Sequence, residues 1–468
     1  MTAMVRVFTL GPPASVAGLG ECRAGRGVPH LTSIVQDPRY GARMPTPPAP
    51  SVVLGAVLTA TLVVAGCTGD SGAGTDESAP QDPTRGSTTT ASAAPTVPTT
   101  SRTTRTTEPG PRGQPRTARG CVDRTLAAMS VRERAAQLLM VGVPADATTP
   151  PPPDVHAVAD LGVGSVILHG RSSAGVEATA ALTTRLQELS RGGPGPDVGL
   201  EVAADQEGGQ VQVLSGPGMS TIPDAVQQGR LPPAALRRAA TGWGRELAAA
   251  GVTVNLAPVA DIVPAGTAND PIGAYGRQYG STPGAVGASA AAFTRGMLAA
   301  GVAPVAKHFP GLGRASGNTD TAAGVVDDVT TRADPYLRPF REVVAAGVPY
   351  VMMATATYRR IDPDRLAAFS PRVVTGMLRG DLGFEGLIIS DDLGVAASVA
   401  DVPVGMRATR FVAAGGDVVL TVVPEQAPAM VEALSLRAQA SRDFARTLSD
   451  SAQLVLERKA RAGLLDCR

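Results

Sequence analysis

Residues Val302 to Asp320 read V-A-P-V-A-K-H-F-P-G-L-G-R-A-S-G-N-T-D. The first half is short, apolar and β-capable, which suits a strand buried on both faces. It runs straight into Lys307-His308, then a Pro-Gly break, then a loop loosened by Gly311, Gly313 and Gly317. A buried strand that delivers two polar, titratable side chains at its C-terminal end is how a parallel α/β sheet builds an active site.

Outward from this stretch the same junction recurs. A-A-A-Gly251-V-T-V, A-A-Gly301-V-A-P-V, A-A-Gly347-V-P-Y-V and A-A-Gly415-Gly416-D-V-V each read as a helix closed by a glycine and followed at once by a strand. The helix before Gly301 shows the whole pattern. Thr282 can N-cap it, Pro283 takes its first position, and Val286, Ala290, Phe293 and Met297 share one face. Asp334-Pro335 opens the next helix in the same way, with Leu337, Phe340 and Val344 inward, and Ser130-Val131-Arg132-Glu133 is a capping box. Buried strands are expected near 138–143, 165–169, 199–205, 252–257, 302–307, 349–355, 386–391 and 417–422. Eight strands alternating with helices predict a (β/α)8 TIM-type barrel as a single catalytic domain. An open doubly wound sheet is the competitor; with no G-x-G-x-x-G after the first strand, dinucleotide binding has no support.

That domain is expected to span 121–468. Residues 1–43 are rich in Gly, Pro and Arg without periodicity, and Met44 offers a second start. Ser51 to Gly66 has the length of a signal-peptide apolar region and is short for a membrane span. It ends in Val64-Ala65-Gly66-Cys67, which resembles a bacterial lipobox, so 1–66 is assigned as extension and signal peptide and Cys67 as the lipidated residue. Two acyl chains hold a protein to a bilayer where one is marginal. The expected location is therefore the extracytoplasmic face of the plasma membrane, lipid-anchored. The stretch 67–120 is dominated by Thr, Ser, Pro, Ala, Gly and Arg and reads as a tether. Cys121 and Cys467 bracket the domain, which in an oxidising compartment suggests a disulfide joining its ends, with two free thiols as the alternative.

Composition narrows the chemistry. A net charge of +1 with 18% charged residues implies no polyanionic partner such as nucleic acid, and a core with only 3% aromatics must be built from Ala, Val and Leu. The four cysteines show no Cys-x-x-Cys spacing, so no structural zinc is predicted, and neither metal nor cofactor is expected. The strand ends supply polar groups: Asp205-Gln206-Glu207-Gly208-Gly209 after the third, Asp261 and the loop Tyr275-Gly276-Arg277-Gln278-Tyr279 after the fourth, Lys307-His308 at the fifth, and Ser390-Asp391-Asp392-Leu393 at the seventh. Carboxylates converging with Lys, His and Arg on a neutral domain suit a polar ligand rich in hydroxyls, such as a sugar.

D-Q-E-G-G at 205–209, N-L-A-P-V-A-D at 255–261, G-R-Q-Y-G at 276–280, K-H-F-P-G at 307–311, L-R-P-F-R at 337–341 and S-D-D-L at 390–393 occur in the order and spacing of one family. Over about 130 to 425 the chain resembles the bacterial β-N-acetylhexosaminidases of glycoside hydrolase family 3. The resemblance implies a (β/α)8 barrel, Asp391 as nucleophile, and Asp205, Arg277, Lys307 and His308 as ligands of the non-reducing sugar. A retaining glycosidase needs a carboxylate to attack the anomeric carbon and an acid to protonate the departing oxygen.

The chain departs from the family where that acid is usually found. Members commonly place a His after an Asp-Ser pair in the loop following K-H-F-P-G; matched to Asp320-Thr321, that His is Ala322 here. The loop's earlier His position is Leu312, and the Arg common after D-Q-E-G-G is Gln210. Three accounts follow: Asp320 is itself the proton donor; water or another carboxylate (Glu207, Asp327 or Asp328) serves; or the protein is a sugar-binding lipoprotein without catalysis. The expectation is a monomeric enzyme with Asp391 and Asp320 as catalytic pair, releasing terminal β-linked N-acetylglucosamine from cell-wall fragments such as peptidoglycan, with β-glucosidase activity or a non-catalytic receptor as alternatives.

Overall fold

The computed structural model describes residues 116–147, 159–193 and 195–467. The expected signal peptide, the lipobox Cys67 and the tether up to residue 115 lie outside them. Eight parallel strands form one sheet: β1 Leu139–Pro144, β2 Ser165–His169, β3 Glu201–Ala204, β4 Val254–Asn255, β5 Ala303–Phe309, β6 Tyr350–Met353, β7 Leu387–Ser390 and β8 Val419–Thr421. Their order is β7-β6-β5-β4-β3-β2-β1-β8. A parallel bridge between Ile389 and Val418, with the Ser390 N–H on the Val418 carbonyl at 2.9 Å, brings β7 to β8 and closes the ring. This is the (β/α)8 barrel.

The strands read as unbroken apolar runs because both faces are covered. Met140, Ile167, Ala203, Val305, Met352, Ile389 and Leu420 fill the interior. Their neighbours Leu139, Val141, Val166, Val202, Ala306, Val351 and Ile388 face the helical layer. Small aliphatic side chains dominate both layers, so a core with few aromatics still packs.

The helices begin and end where local chemistry places them. The Ser130 hydroxyl accepts from the Glu133 N–H and the Glu133 carboxylate accepts from the Ser130 N–H. Thr282 caps Pro283–Ala299, which buries Val286, Ala290, Phe293 and Met297. The chain leaves that helix through Gly301 at φ +83°, a conformation in which a Cβ would be strained. After Asp334 a 3-10 turn, Pro335–Leu337, precedes the helix Arg338–Ala345; Val343 is its buried valine and Val344 is half-buried against the same core.

Two boundaries differ from the sequence expectation. The first helix, Arg116–Ala128, starts five residues before the domain boundary set at Cys121, because its Cys121 and Val122 pack with Val198, Leu456 and Leu465. Cys121 and Cys467 form a disulfide with Cα atoms 5.4 Å apart. Strand β5 runs two residues past the expected 307, to Phe309, so Lys307 and His308 fall within its last three residues. The last helix, Arg442–Arg461, lies across the N-terminal mouth of the barrel: Val455 joins the interior cluster, and Arg458 Nε is 3.4 Å from the carboxylate of Glu201 at the start of β3. The C-terminal mouth is left for chemistry.

Candidate active site

Asp205 is the first residue past β3 and opens a small hairpin, Gln206–Gly208 against Val211–Gln212. Asn255, at the end of β4, holds that hairpin in register: the Gln206 N–H donates to Asn255 Oδ1 at 3.1 Å, and Asn255 Nδ2 donates to the Gln206 carbonyl at 3.2 Å. The hairpin buries Glu207 between two cations. Arg277 grips it through Nε at 2.9 Å and Nη2 at 2.7 Å, and Lys307 Nζ lies 2.7 Å away. Burial raises the pKa of Glu207, but the charges and hydrogen bonds of Arg277 and Lys307 outweigh it and leave the value at about 2. Burial works against the cations, yet Glu207 and Asp205 hold Arg277 and Lys307 above their ordinary values.

Lys307 Nζ also lies 2.5 Å from Asp205 Oδ1. Beside it, His308 Nδ1 sits 2.7 Å from Asp261 Oδ2, while the main-chain N–H groups of His308 and Leu312 donate to Asp261 Oδ1 at 3.1 and 2.9 Å. The Asp261 carboxylate thus fixes the orientation of the ring, and its Nε2 lies 3.4 Å from Arg277 Nη2.

Asp391 follows β7 directly. Its N–H donates to the Met353 carbonyl at the end of β6, at 3.1 Å, and its Oδ1 accepts from the Asp392 N–H at 2.9 Å. Asp392 is occupied differently: its carboxylate accepts from the N–H groups of Gly394 (2.7 Å), Val422 (3.2 Å) and Val395 (3.3 Å), which fixes the following turn. Asp320 reaches the same place from the β5 loop. The Asn318 side chain accepts from its N–H at 3.0 Å, while the N–H groups of Ala397 and Ser398, just past β7, donate to the carbonyls of Asp320 (3.2 Å) and Thr319 (3.1 Å). Although the side chain keeps solvent access, desolvation and the charge of Asp391 raise its pKa, against the pull of His308, Arg277 and Lys307.

One cavity of about 530 Å³ at this mouth is lined by Asp205, Arg277, Lys307, His308, Asp320 and Asp391 together. The other carboxylates considered as the acid are committed elsewhere. Glu207 is locked in its ion pairs, buried Asp327 accepts from Val329, Thr330 N–H and the Thr330 hydroxyl, and Asp328 pairs with Arg359 on the surface. Leu312 is buried, and Ala322 packs on the core. Two further lining residues escaped the sequence reading. Arg171 stands on the loop after β2, and Tyr275 sits in the loop that also carries Arg277. Among the described residues no group of three or more His, Cys, Asp or Glu converges as a metal site would require.

Comparison with known proteins agrees with this architecture. The model of the glycosyl hydrolase family 3 N-terminal domain matches residues 130–455. A beta-hexosaminidase of Stenotrophomonas maltophilia (strain R551-3) is 36% identical over 274 residues, 56% of this chain and 77% of that protein. One from Mycobacterium tuberculosis is 31% identical over 322 residues, 66% of this chain and 77% of that one. The crystal structure of a beta-N-acetylhexosaminidase from Beutenbergia cavernae DSM 12333 superposes with a TM-score of 0.68 at 47% identity, covering 71% of this chain and 98% of the other. With the family's domain matched along nearly the whole barrel, the chain belongs to glycoside hydrolase family 3 and is an enzyme of that family.

Proposed function

We propose that the protein is a retaining β-N-acetylglucosaminidase that removes terminal β-linked N-acetylglucosamine in two steps. Asp391 attacks the anomeric carbon and forms a glycosyl ester while Asp320 gives its proton to the leaving oxygen; Asp320, now a base, takes a proton from water, which displaces Asp391. Asp205 accepts hydrogen bonds from the terminal sugar, and Arg277, Lys307 and His308 present donors and one imidazole edge to it. The observation that carries this reading is the pairing of two carboxyl groups in one cavity with divided environments. Asp391 is tethered to the barrel rim, while Asp320 is pushed toward the protonated form beside it. The hexosaminidase names of the relatives support the choice of sugar. The lipobox supports action outside the membrane, anchored through Cys67, on cell-wall fragments such as those of peptidoglycan.

The test is to trap the ester. Incubation with a fluorinated N-acetylglucosaminyl donor bearing an activated leaving group, followed by peptide mass spectrometry, should place the label on Asp391, and Asp391→Asn should abolish labelling and turnover. A label on another side chain refutes the assignment. Sugar binding without release of product from any aryl glycoside would favour a receptor.

A further inference from the structure

We propose that a second cavity, behind the loop of Asp320, binds a small organic phosphate and that the bound anion steadies the Asp320 backbone. The binding site stands on its own residues; only the effect on turnover rests on the glycosidase reading above.

This cavity, of about 690 Å³, lies between the segment after β6, the turn after Asp391 and the helices Val404–Ala413 and Ala427–Ala440. Its volume is of the size that holds a small molecule. Three arginines line it, Arg365, Arg410 and Arg437, against one carboxylate, Asp364. Arg365 lies 3.5 Å from the buried carboxylate of Asp362. Arg410 and Arg437 have no such partner: among the described residues no carboxylate forms an ion pair with either. Arg437 is nevertheless held in place. Its Nη1 donates to the Thr409 carbonyl at 3.2 Å, and its guanidinium carbon lies 4.7 Å from the centre of the Phe444 ring. Thr409 precedes Arg410, so the two helices bring two uncompensated cations to one wall. Ser398 completes the set. Its hydroxyl oxygen is buried in the lining and has no hydrogen-bond partner among the described residues. A carboxylate, with two oxygens in one plane, fills one guanidinium fork. A phosphate monoester presents three oxygens at tetrahedral angles and can take all three donors. Buried Phe369 and half-buried Leu366 give the uncharged part of the ester an apolar wall.

One turn serves both cavities. Ala397–Val399 is a 3-10 turn whose first two N–H groups donate to the carbonyls of Asp320 (3.2 Å) and Thr319 (3.1 Å), while Ser398 lines the second cavity. Thr319 and Asp320 line the first. Around the turn, buried Arg407 donates to the carbonyls of Leu393 (2.7 Å), Gly394 (2.8 Å) and Val402 (2.7 Å). Both ends of the segment are thus tied to one helix, and the stretch between them is what a ligand can still fasten. A phosphate bridging Ser398 to Arg410 and Arg437 fastens that stretch to the two helices. The N–H groups on the Thr319 and Asp320 carbonyls then open less often, and the Asp320 backbone is held for longer at the mouth of the barrel.

Calorimetry of the full chain with glycerol phosphate, inorganic phosphate and acetate tests the site. Both phosphates should bind and acetate should not. Arg410→Gln together with Arg437→Gln should weaken phosphate binding about 10- to 100-fold, the range of a charge-assisted hydrogen bond, and Ser398→Ala should weaken it by a smaller factor. No binding of either phosphate, binding that survives the double substitution, or acetate bound as tightly as phosphate overturns the site. Hydrogen exchange reads the coupling without reference to activity. Glycerol phosphate at ten times its Kd should slow exchange at the Ala397 and Ser398 amides about 10-fold, and should not slow it in the double variant. Unchanged exchange in a chain that binds the phosphate overturns the coupling. Turnover is the last readout: glycerol phosphate should raise kcat on β-N-acetylglucosaminides with poor leaving groups and leave the 4-nitrophenyl glycoside unaffected. Slowed exchange with no change in rate overturns the effect on catalysis. A protein inactive on every glycoside overturns the glycosidase reading instead, and the phosphate site then stands or falls on the calorimetry and the exchange.

Discussion

Replacing Glu207 by Gln keeps the shape of the side chain and removes the one charge that Lys307 and Arg277 share. Its magnitude follows from the ionisation. The carboxyl is lowered from 4.5 to about 2 in the folded protein. A difference of this size corresponds to on the order of 3 kcal/mol, at about 1.4 kcal/mol per pH unit. Because the folded value is the depressed one, this stabilisation is fully present above pH 4.5 and is lost as pH falls toward 2. Removing one partner of a buried ion pair independently suggests about 3–5 kcal/mol, since the remaining cations stay buried and uncompensated. Urea unfolding of both proteins at pH 7 should therefore separate them by roughly 3 kcal/mol. At pH 3 the separation should fall below half of that, because the glutamate of the unfolded chain is by then largely protonated and ionising it on folding takes back part of the gain. In the same variant KM should rise, since Arg277 loses its bidentate anchor and Lys307 one of its two carboxylates. Variant and parent agreeing within about 0.5 kcal/mol at pH 7, or a gap as large at pH 3 as at pH 7, would refute the account of Glu207 as the electrostatic keystone of the proposed sugar site.

Two further outcomes follow from the same geometry. As the proposed acid Asp320 would act while protonated, and because its pKa is raised, activity should decline as pH rises through that value. Asp320→Asn should flatten this basic limb and slow substrates with poor leaving groups about 10²- to 10⁴-fold, with little effect on activated aryl glycosides; untouched rates on poor leaving groups would show that another group supplies the proton. The Cys121–Cys467 bond closes a separation of 346 residues, and Cys121→Ser with Cys467→Ser should cost roughly 2–5 kcal/mol in urea unfolding while leaving kcat/KM intact, because the pair packs in the helix cluster of Val122 and Leu456 and does not line the cavity of Asp391.

What could be read from the sequence was what is local. The barrel strands and some helix starts announce themselves within a few residues: Thr282-Pro283, Ser130 with Glu133, or the apolar run ending in Lys307-His308. Strand β5 runs two residues past 307 because buried ion pairs let polar Lys and His continue it. Pairings were harder to see. Lys307 meets Asp205 across 102 residues and Arg277 meets Glu207 across 70. Nothing in either pentapeptide says that Glu207 serves both cations, or that Asp261 orients His308. Arg171 carried no signal at all, since its placement depends on two carbonyls of a hairpin forty residues away.

The same distinction bears on the proton donor. By sequence the loop after β5 looks deficient, with Leu312 and Ala322 where histidines were sought. Tertiary contacts change its meaning: Ala397 and Ser398, which follow β7 and Asp391, hold the Thr319–Asp320 backbone, so the segment that carries one proposed catalytic carboxylate also holds the other in place. A histidine donor needs a neighbouring carboxylate to tune it. In the proposed mechanism Asp320 is tuned first by its desolvation and then by the negative charge of Asp391, and both favour the protonated acid before the first step. Once Asp391 is esterified that charge is gone, and the Asp320 pKa should drop, which favours the base needed to activate water. One pair of carboxyl groups can thus alternate roles without the missing imidazole, and a pH profile of the deglycosylation step lying below that of glycosylation is the sign to look for.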